Sequence, residues 1–136
     1  MGESNIKPGT ILVVDDDDGL TRAIANLLRL EGYDVSTAFN RIQGYAASFR
    51  QPTEFVITDI QMPGWDGFEM VRAICALNPA VKAVFTSGAA DSFRSEIDND
   101  SGLNSAVFLE KPFTRGDLLA VLSQDFSSLE VCTESA

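Results

Sequence analysis

Short runs of apolar residues alternate along this chain with longer segments in which apolar residues recur every three or four positions. Five runs, Ile11 to Val14, Tyr33 to Thr37, Phe55 to Thr58, Val81 to Phe85 and Ala106 to Leu109, have the length and near-continuous apolar character of strands buried on both faces. Between them, the spacing of Leu20, Ile24, Leu27 and Leu28, of Ile42, Tyr45, Ala46 and Phe49, and of Phe68, Val71, Ile74 and Cys75 predicts helices. Leu118, Leu119, Leu122 and Phe126 continue the theme after the last strand. Strands alternating with helices predict a parallel sheet covered on both faces, and right-handed crossovers make it a doubly wound α/β domain. Gly32 is placed to cap the first helix, and Asn78 and Pro79 to close the third. From Asp91 to Ser105 only Phe93 and Ile97 keep helical spacing among Asp, Asn, Ser and Gly, so a fourth helix there is expected to be short. Residues 1–9 and 127–136 read as polar tails around one domain over 10–126, and no longer repeat is present.

Composition narrows the function. A chain of 136 residues, 45% hydrophobic and 22% charged, suits one globular domain with its own core. Its net charge of -10 repels nucleic acid and anionic lipid, so neither is an expected partner. "MGESNIKPGT" lacks the apolar core of a signal peptide, and nothing later approaches a membrane span. Cys75 sits in a helical pattern and Cys132 in the polar tail, so both are read as reduced thiols and the expected location is cytoplasmic. The chain contains no histidine, which excludes a histidine-based triad, a histidine zinc site and a phosphohistidine carrier.

The candidate chemistry lies where strands end. In an open parallel sheet all carboxyl ends share one edge, and ligands bind in the crevice there. Asp15 and Asp16 follow the first run, Asp59 ends the third, Thr86 and Ser87 end the fourth, and Lys111 follows the fifth. Each has an ordinary explanation taken alone. Asp15 and Asp16 could cap a helix, as Asp17 and Asp18 are expected to do; Asp59 could belong to a turn with Pro63 and Gly64; Ser87 and Lys111 could be plain strand-end and surface residues. Their joint occurrence after four different strands points to a site. Carboxylates brought together repel, and a hard divalent cation with an oxygen shell relieves this, which selects Mg2+, with Mn2+ as the alternative ion. Lys111 and the hydroxyl of Ser87 could meet an arriving phosphoryl group while Asp59 attacks phosphorus to form a mixed anhydride.

"ILVVDDDD", "VITDIQMPGWDGFEM", "FTSG" and "FLEKPF" together resemble, in order, the motifs of the receiver domains of two-component response regulators, over about residues 10 to 126. The resemblance implies a flavodoxin-like (βα)5 fold, a parallel five-stranded sheet of order 2-1-3-4-5 with helices on both faces. It implies Asp59 as phosphoacceptor, Asp16 as direct Mg2+ ligand with Asp15 acting through water, and the backbone carbonyl of Gln61 as a further ligand. It implies Lys111 as the phosphoryl-binding cation, Ser87 as the switch hydroxyl and Phe108 as the aromatic residue that changes rotamer with it. Ser87 is preferred over Thr86 because a small residue, Gly88, follows it; Thr86 stays the alternative. Pro63 and Gly67 would shape the loop after Asp59. A Phe at 108 keeps the ring of the more usual Tyr but has no hydroxyl to hydrogen-bond.

The partners so implied are a sensor histidine kinase or histidine phosphotransfer protein as donor, and a downstream protein target in trans, since the sequence reads as a receiver without an output domain. Catalysis would be confined to the chain's own phosphorylation and dephosphorylation. Two other readings stand beside this one. A Mg2+-dependent phosphohydrolase would need an acid/base aspartate two positions after its nucleophile, where this chain has Gln61. A receiver-like interaction module would never be phosphorylated. The single tryptophan, Trp65, lies in the loop after Asp59 and is expected to report on the site.

Overall fold

A computed structural model of the chain describes residues 7–62, 65–87 and 106–123. The elements run β1 (Lys7–Val14), α1 (Asp18–Leu30), β2 (Asp34–Ala38), α2 (Arg41–Arg50), β3 (Thr53–Asp59), β4 (Gln61–Met62), β5 (Trp65–Asp66), α3 (Gly67–Leu77), β6 (Lys82–Ser87), β7 (Ala106–Glu110) and α4 (Arg115–Leu122). Five strands form one sheet in the order β2-β1-β3-β6-β7, and every neighbouring pair is parallel. Counted within that sheet, the order is the 2-1-3-4-5 of the doubly wound flavodoxin-like fold.

Alternation along the strands explains the two covered faces. Successive strand residues point to opposite sides, so Leu12, Val14, Val56, Ala83 and Phe85 pack with Met70, Val71 and Ile74 of α3 on one side. Ile11, Val13, Phe55, Ile57 and Val84 pack with Ile24 and Leu28 of α1 and Leu118 and Leu122 of α4 on the other. A strand that feeds both cores has no polar face to show, which is why the runs in the sequence are continuous rather than alternating.

Several boundaries move. β1 starts at Lys7, so the last residues of the expected 1–9 tail belong to the sheet; Lys7 pairs with Thr53 across a register irregularity before Ile11 pairs with Phe55. Gly9 lies in that irregularity with φ +81, a conformation open to glycine at little cost. Polar residues in such a segment give no apolar signal. Strand β2 begins one residue after Tyr33, because Tyr33 closes α1: its N–H bonds to Leu28 O at 3.1 Å and the Gly32 N–H to Arg29 O at 3.0 Å, a Schellman cap in which Gly32 takes φ +96. Strand β6 runs on through Thr86 and Ser87. The two-stranded antiparallel hairpin β4–β5 was not foreseen, since strands this short carry no periodicity. Asn78 follows α3 as expected, its N–H bonding to Ile74 O at 2.9 Å. The expected short helix over 91–105, Pro63, Gly64, Phe126 and Cys132 lie outside the described residues.

Helix α2 turns a different face inward from the one its apolar spacing predicts. Ile42 and Phe49 are 66% and 67% exposed, whereas Gly44 and Ser48 are buried against the sheet. A Cβ on Gly44 would lie 2.7 Å from Met70 Sδ and 3.1 Å from a Val14 methyl, so the helix sits closer than any larger residue allows. Small residues seat α2, Tyr45 and Ala47 pack half-buried against the same core, and Ile42 and Phe49 are left outside.

Candidate functional site

The strand register brings the carboxyl ends level. Val14 pairs with Ala38 and Thr58, Asp59 with Thr86, and Ser87 with Glu110, so Asp15, Asp59, Ser87 and Lys111 all emerge at one edge. Backbone bonds carry the ladder just past the strand ends: Asp15 N–H to Ala38 O at 3.2 Å, Ile60 N–H to Thr86 O at 3.1 Å and Lys111 N–H to Ser87 O at 2.9 Å. These bonds fix the first residue of each loop, and hence where its side chain starts.

Asp15 is held at both carboxylate oxygens. Its Oδ1 accepts the Asp17 N–H at 2.9 Å, and its Oδ2 accepts from Lys111 Nζ at 3.0 Å. The same ammonium donates to Asp59 Oδ2 at 3.3 Å. Lys111 thus bridges two carboxylates brought from β1 and β3. Burial acts to lower its pKa, but the hydrogen bond and charge of Asp15, followed by those of Asp59, outweigh burial and hold the ammonium above its ordinary 10.5. Its bond to Pro112 is cis.

Asp16 is exposed and has no hydrogen bond or ion pair among the described residues. One carboxylate oxygen from each of Asp15, Asp16 and Asp59 lies within 4.8 Å of the others, an all-oxygen set able to hold a hard metal ion. The donor chemistry and charge fit such an ion: three carboxylates against one ammonium leave two negative charges uncompensated.

Asp17 and Asp18 take the helix-entry roles expected of them. Asp17 is the N-cap of α1, its side chain accepting the Leu20 N–H at 3.1 Å, and Asp18 pairs with Arg22 one turn on. Thr21 is a positioning residue that the sequence reading did not single out. Its buried hydroxyl donates toward Asp15 O at 3.0 Å and Asp17 O at 2.9 Å, tying the first turn of α1 to the acidic loop. The available signal was a hydroxyl one turn before Ile24 on the apolar stripe of α1.

The two adjacent hydroxyls of β6 face opposite ways. Ser87 shares the side of Phe85, where Phe108 also packs, whereas Thr86 shares the side of Val84, toward α1 and α4. Both are buried. Gln61 stands in β4 opposite Asp66, Gly67 opens α3, and Pro63 lies outside the described residues.

Compared with protein families, residues 11–123 match the response regulator receiver domain. The chain belongs to that family. The response regulator receiver protein CpdR of Brucella abortus (strain 2308) is 32% identical over 109 residues, which are 80% of this chain and 89% of CpdR. The transcriptional regulatory protein PrrA of Mycobacterium leprae is 30% identical over 121 residues, 87% of this chain but 50% of PrrA, so the chain spans about half the length of that relative. Among solved structures, a CheY-like receiver domain protein from Methanospirillum hungatei JF-1 superposes with a TM-score of 0.79 at 26% identity, covering 92% of this chain and 98% of that one. Receiver domains are signalling domains of two-component systems, and the flavodoxin-like order of the sheet agrees with this membership. No described helix is long and apolar enough to cross a membrane.

Proposed function

We propose that this receiver domain accepts a phosphoryl group on Asp59 from a phosphohistidine of a sensor kinase or histidine phosphotransfer protein, and that the modification changes its affinity for a protein target. The observation that carries the reading is the Lys111 ammonium lying between Asp15 and Asp59, at 3.0 and 3.3 Å, within a group of three carboxylates. Asp15, Asp16 and Asp59, with the backbone carbonyl of Gln61, are the residues that would hold Mg2+, which when bound neutralises charge on the phosphoryl oxygens.

In the transfer, an Asp59 oxygen forms the new O–P bond as the P–N bond of the donor breaks, and the electron pair of that bond leaves with the imidazole, which then takes a proton. Asp59 suits this step because its side chain is 14% exposed and open to a donor, against 4% for Asp15. Lys111 follows the phosphoryl oxygens with a charge already in place, so little reorganisation is needed. The phosphoryl group carries about two negative charges, while the charge of the carboxylate is consumed in the anhydride. Ser87 is the better switch hydroxyl than Thr86, because it shares a side of the sheet with Phe108. A movement of Ser87 toward the phosphoryl group leaves space on that same side, and the ring of Phe108 takes it.

Intact-mass measurement after treatment with a small phosphodonor and Mg2+ tests the reading. One labile phosphoryl adduct on the wild type, absent from Asp59→Asn, is expected. No adduct under these conditions would leave an interaction module that works unphosphorylated, and sustained turnover of the donor without an adduct would point to a phosphohydrolase.

A further inference from the structure

Two of the large apolar side chains exposed on this receiver domain, Ile42 and Phe49, stand on α2, and a third, Leu77, ends the neighbouring helix α3. Ile42 and Phe49 are two helical turns apart and so share one stripe, with Ala46 between them. The domain does not use that stripe for folding, because α2 is seated on the sheet through Gly44 and Ser48 on its opposite side. Charge singles out the same helix. From Val35 to Thr53 there is no carboxylate, while Arg41 and Arg50 stand at the two ends of α2, in a chain whose net charge is -10. Arg50 is exposed, one turn beyond Ala46, at the margin of the stripe.

An apolar, basic face on an otherwise acidic molecule selects its occupant by chemistry. We propose that the outer face of α2 docks an acidic, amphipathic helical segment of a partner protein, its aliphatic side chains covering Ile42, Ala46 and Phe49 and its carboxylates meeting Arg50. A second copy of this chain joined through the same face would set arginine against arginine across the two-fold axis. An anionic bilayer would attract two arginines and repel the strongly acidic remainder of the molecule.

An amide-resolved NMR titration of the whole chain tests this with two synthetic amphipathic peptides, one carrying leucines on one helical face and glutamates on the other, the second with lysines in place of the glutamates. The glutamate peptide is expected to shift the amides of residues 41–50, to weaken with salt, and to lose affinity by about tenfold in each of Phe49→Ser and Arg50→Glu. Both variants change exposed positions, and circular dichroism together with unaltered phosphorylation of Asp59 verifies that they fold. The proposal is overturned if the glutamate peptide does not bind, if the lysine peptide binds equally well, or if the shifts map away from α2. Equal shifts of α2 by phosphatidylserine vesicles, or concentration-dependent dimerisation lost in Phe49→Ser, would overturn it in favour of a bilayer or a second copy.

Discussion

Replacing Asp16 by Asn should make the metal-free domain more stable, and the size of the gain follows from the distances in the site. At an effective dielectric constant of about 20, the contacts of Lys111 with Asp15 at 3.0 Å and Asp59 at 3.3 Å are attractions of about 5.5 and about 5 kcal/mol. The three carboxylate pairs, each with oxygens within 4.8 Å, are repulsions of about 3.5 kcal/mol apiece at the same dielectric constant. The two sets nearly cancel. Asp16 is the member with two repulsions and only a longer-range attraction to Lys111, beyond ion-pair distance, which offsets one of them in part, so its removal still lowers the energy of the cluster. Because Asp16 is exposed, water screens it, and each repulsion falls to about 1 kcal/mol at a dielectric constant of about 80. Asp16→Asn is therefore expected to stabilise the metal-free protein by about 1–2 kcal/mol, or roughly 3–6 °C in melting temperature for a domain of this length. The wild type should close that gap and overtake the variant when Mg2+ is added, since a ligand at about 100 times its dissociation constant contributes about 2.7 kcal/mol, whereas the variant should respond weakly. Thermal melts in EDTA and in millimolar Mg2+ measure both. A lower melting temperature for Asp16→Asn in EDTA, or a full Mg2+ response in the variant, would refute the charge balance on which the metal assignment rests.

Lys111 supplies a pH signature. Its pKa is raised in the folded state, so its stabilising effect is complete below the ordinary value of 10.5 and is lost as pH climbs through the folded-state value. Denaturant titrations in EDTA should show that alkaline loss in the wild type and not in Lys111→Met, which is itself expected to be less stable by about 1–3 kcal/mol, because two buried or half-buried carboxylates lose their counter-charge. Ser48 is buried, and its hydroxyl has no hydrogen-bond partner among the described residues, so Ser48→Ala should be neutral or stabilising by up to about 1 kcal/mol in urea unfolding; a clear loss would show that the hydroxyl is bonded. Trp65 follows the loop after Asp59 in strand β5, paired with Met62, and its emission should change on Mg2+ or phosphoryl binding. Constant emission with phosphorylation proven by mass would uncouple this hairpin from the site.

What the sequence makes legible is what one strand or one helix decides alone. The five runs are readable because a strand between two helical layers must be apolar on both sides, as Ile11 to Val14 is. The edge carrying Asp15, Asp59, Ser87 and Lys111 follows from the topology, since parallel strands all end there. The inward side of α2 is not readable, because apolar periodicity assumes that the largest residues go inside, whereas the close approach to the sheet puts Gly44 there, where a Cβ would lie 2.7 Å from Met70 Sδ, with Ser48 buried beside it. The bond from Lys111 to Asp15 is likewise hidden from sequence. Lysine is expected to meet a phosphoryl group, but only register and loop anchoring place its ammonium against two carboxylates before any phosphoryl group arrives.

That placement couples the two ligands of the proposed reaction. Three carboxylates and one ammonium leave the resting site at a formal charge of about -2, and conversion of Asp59 to its acyl phosphate makes it about -3. A divalent cation is therefore attracted more strongly to the phosphorylated site than to the resting one. Linkage requires the converse to the same degree: the cation must favour the phosphorylated state over the resting one. Lys111 sets the level of metal affinity and not the size of this coupling: without its charge the resting site would stand near about -3 and the phosphorylated site near about -4, still one charge apart. Lys111→Met is therefore expected to take up Mg2+ at lower concentration in both forms while keeping a similar preference of the cation for the phosphorylated one, and a preference that vanished in the variant would show that the ammonium acts through more than its charge.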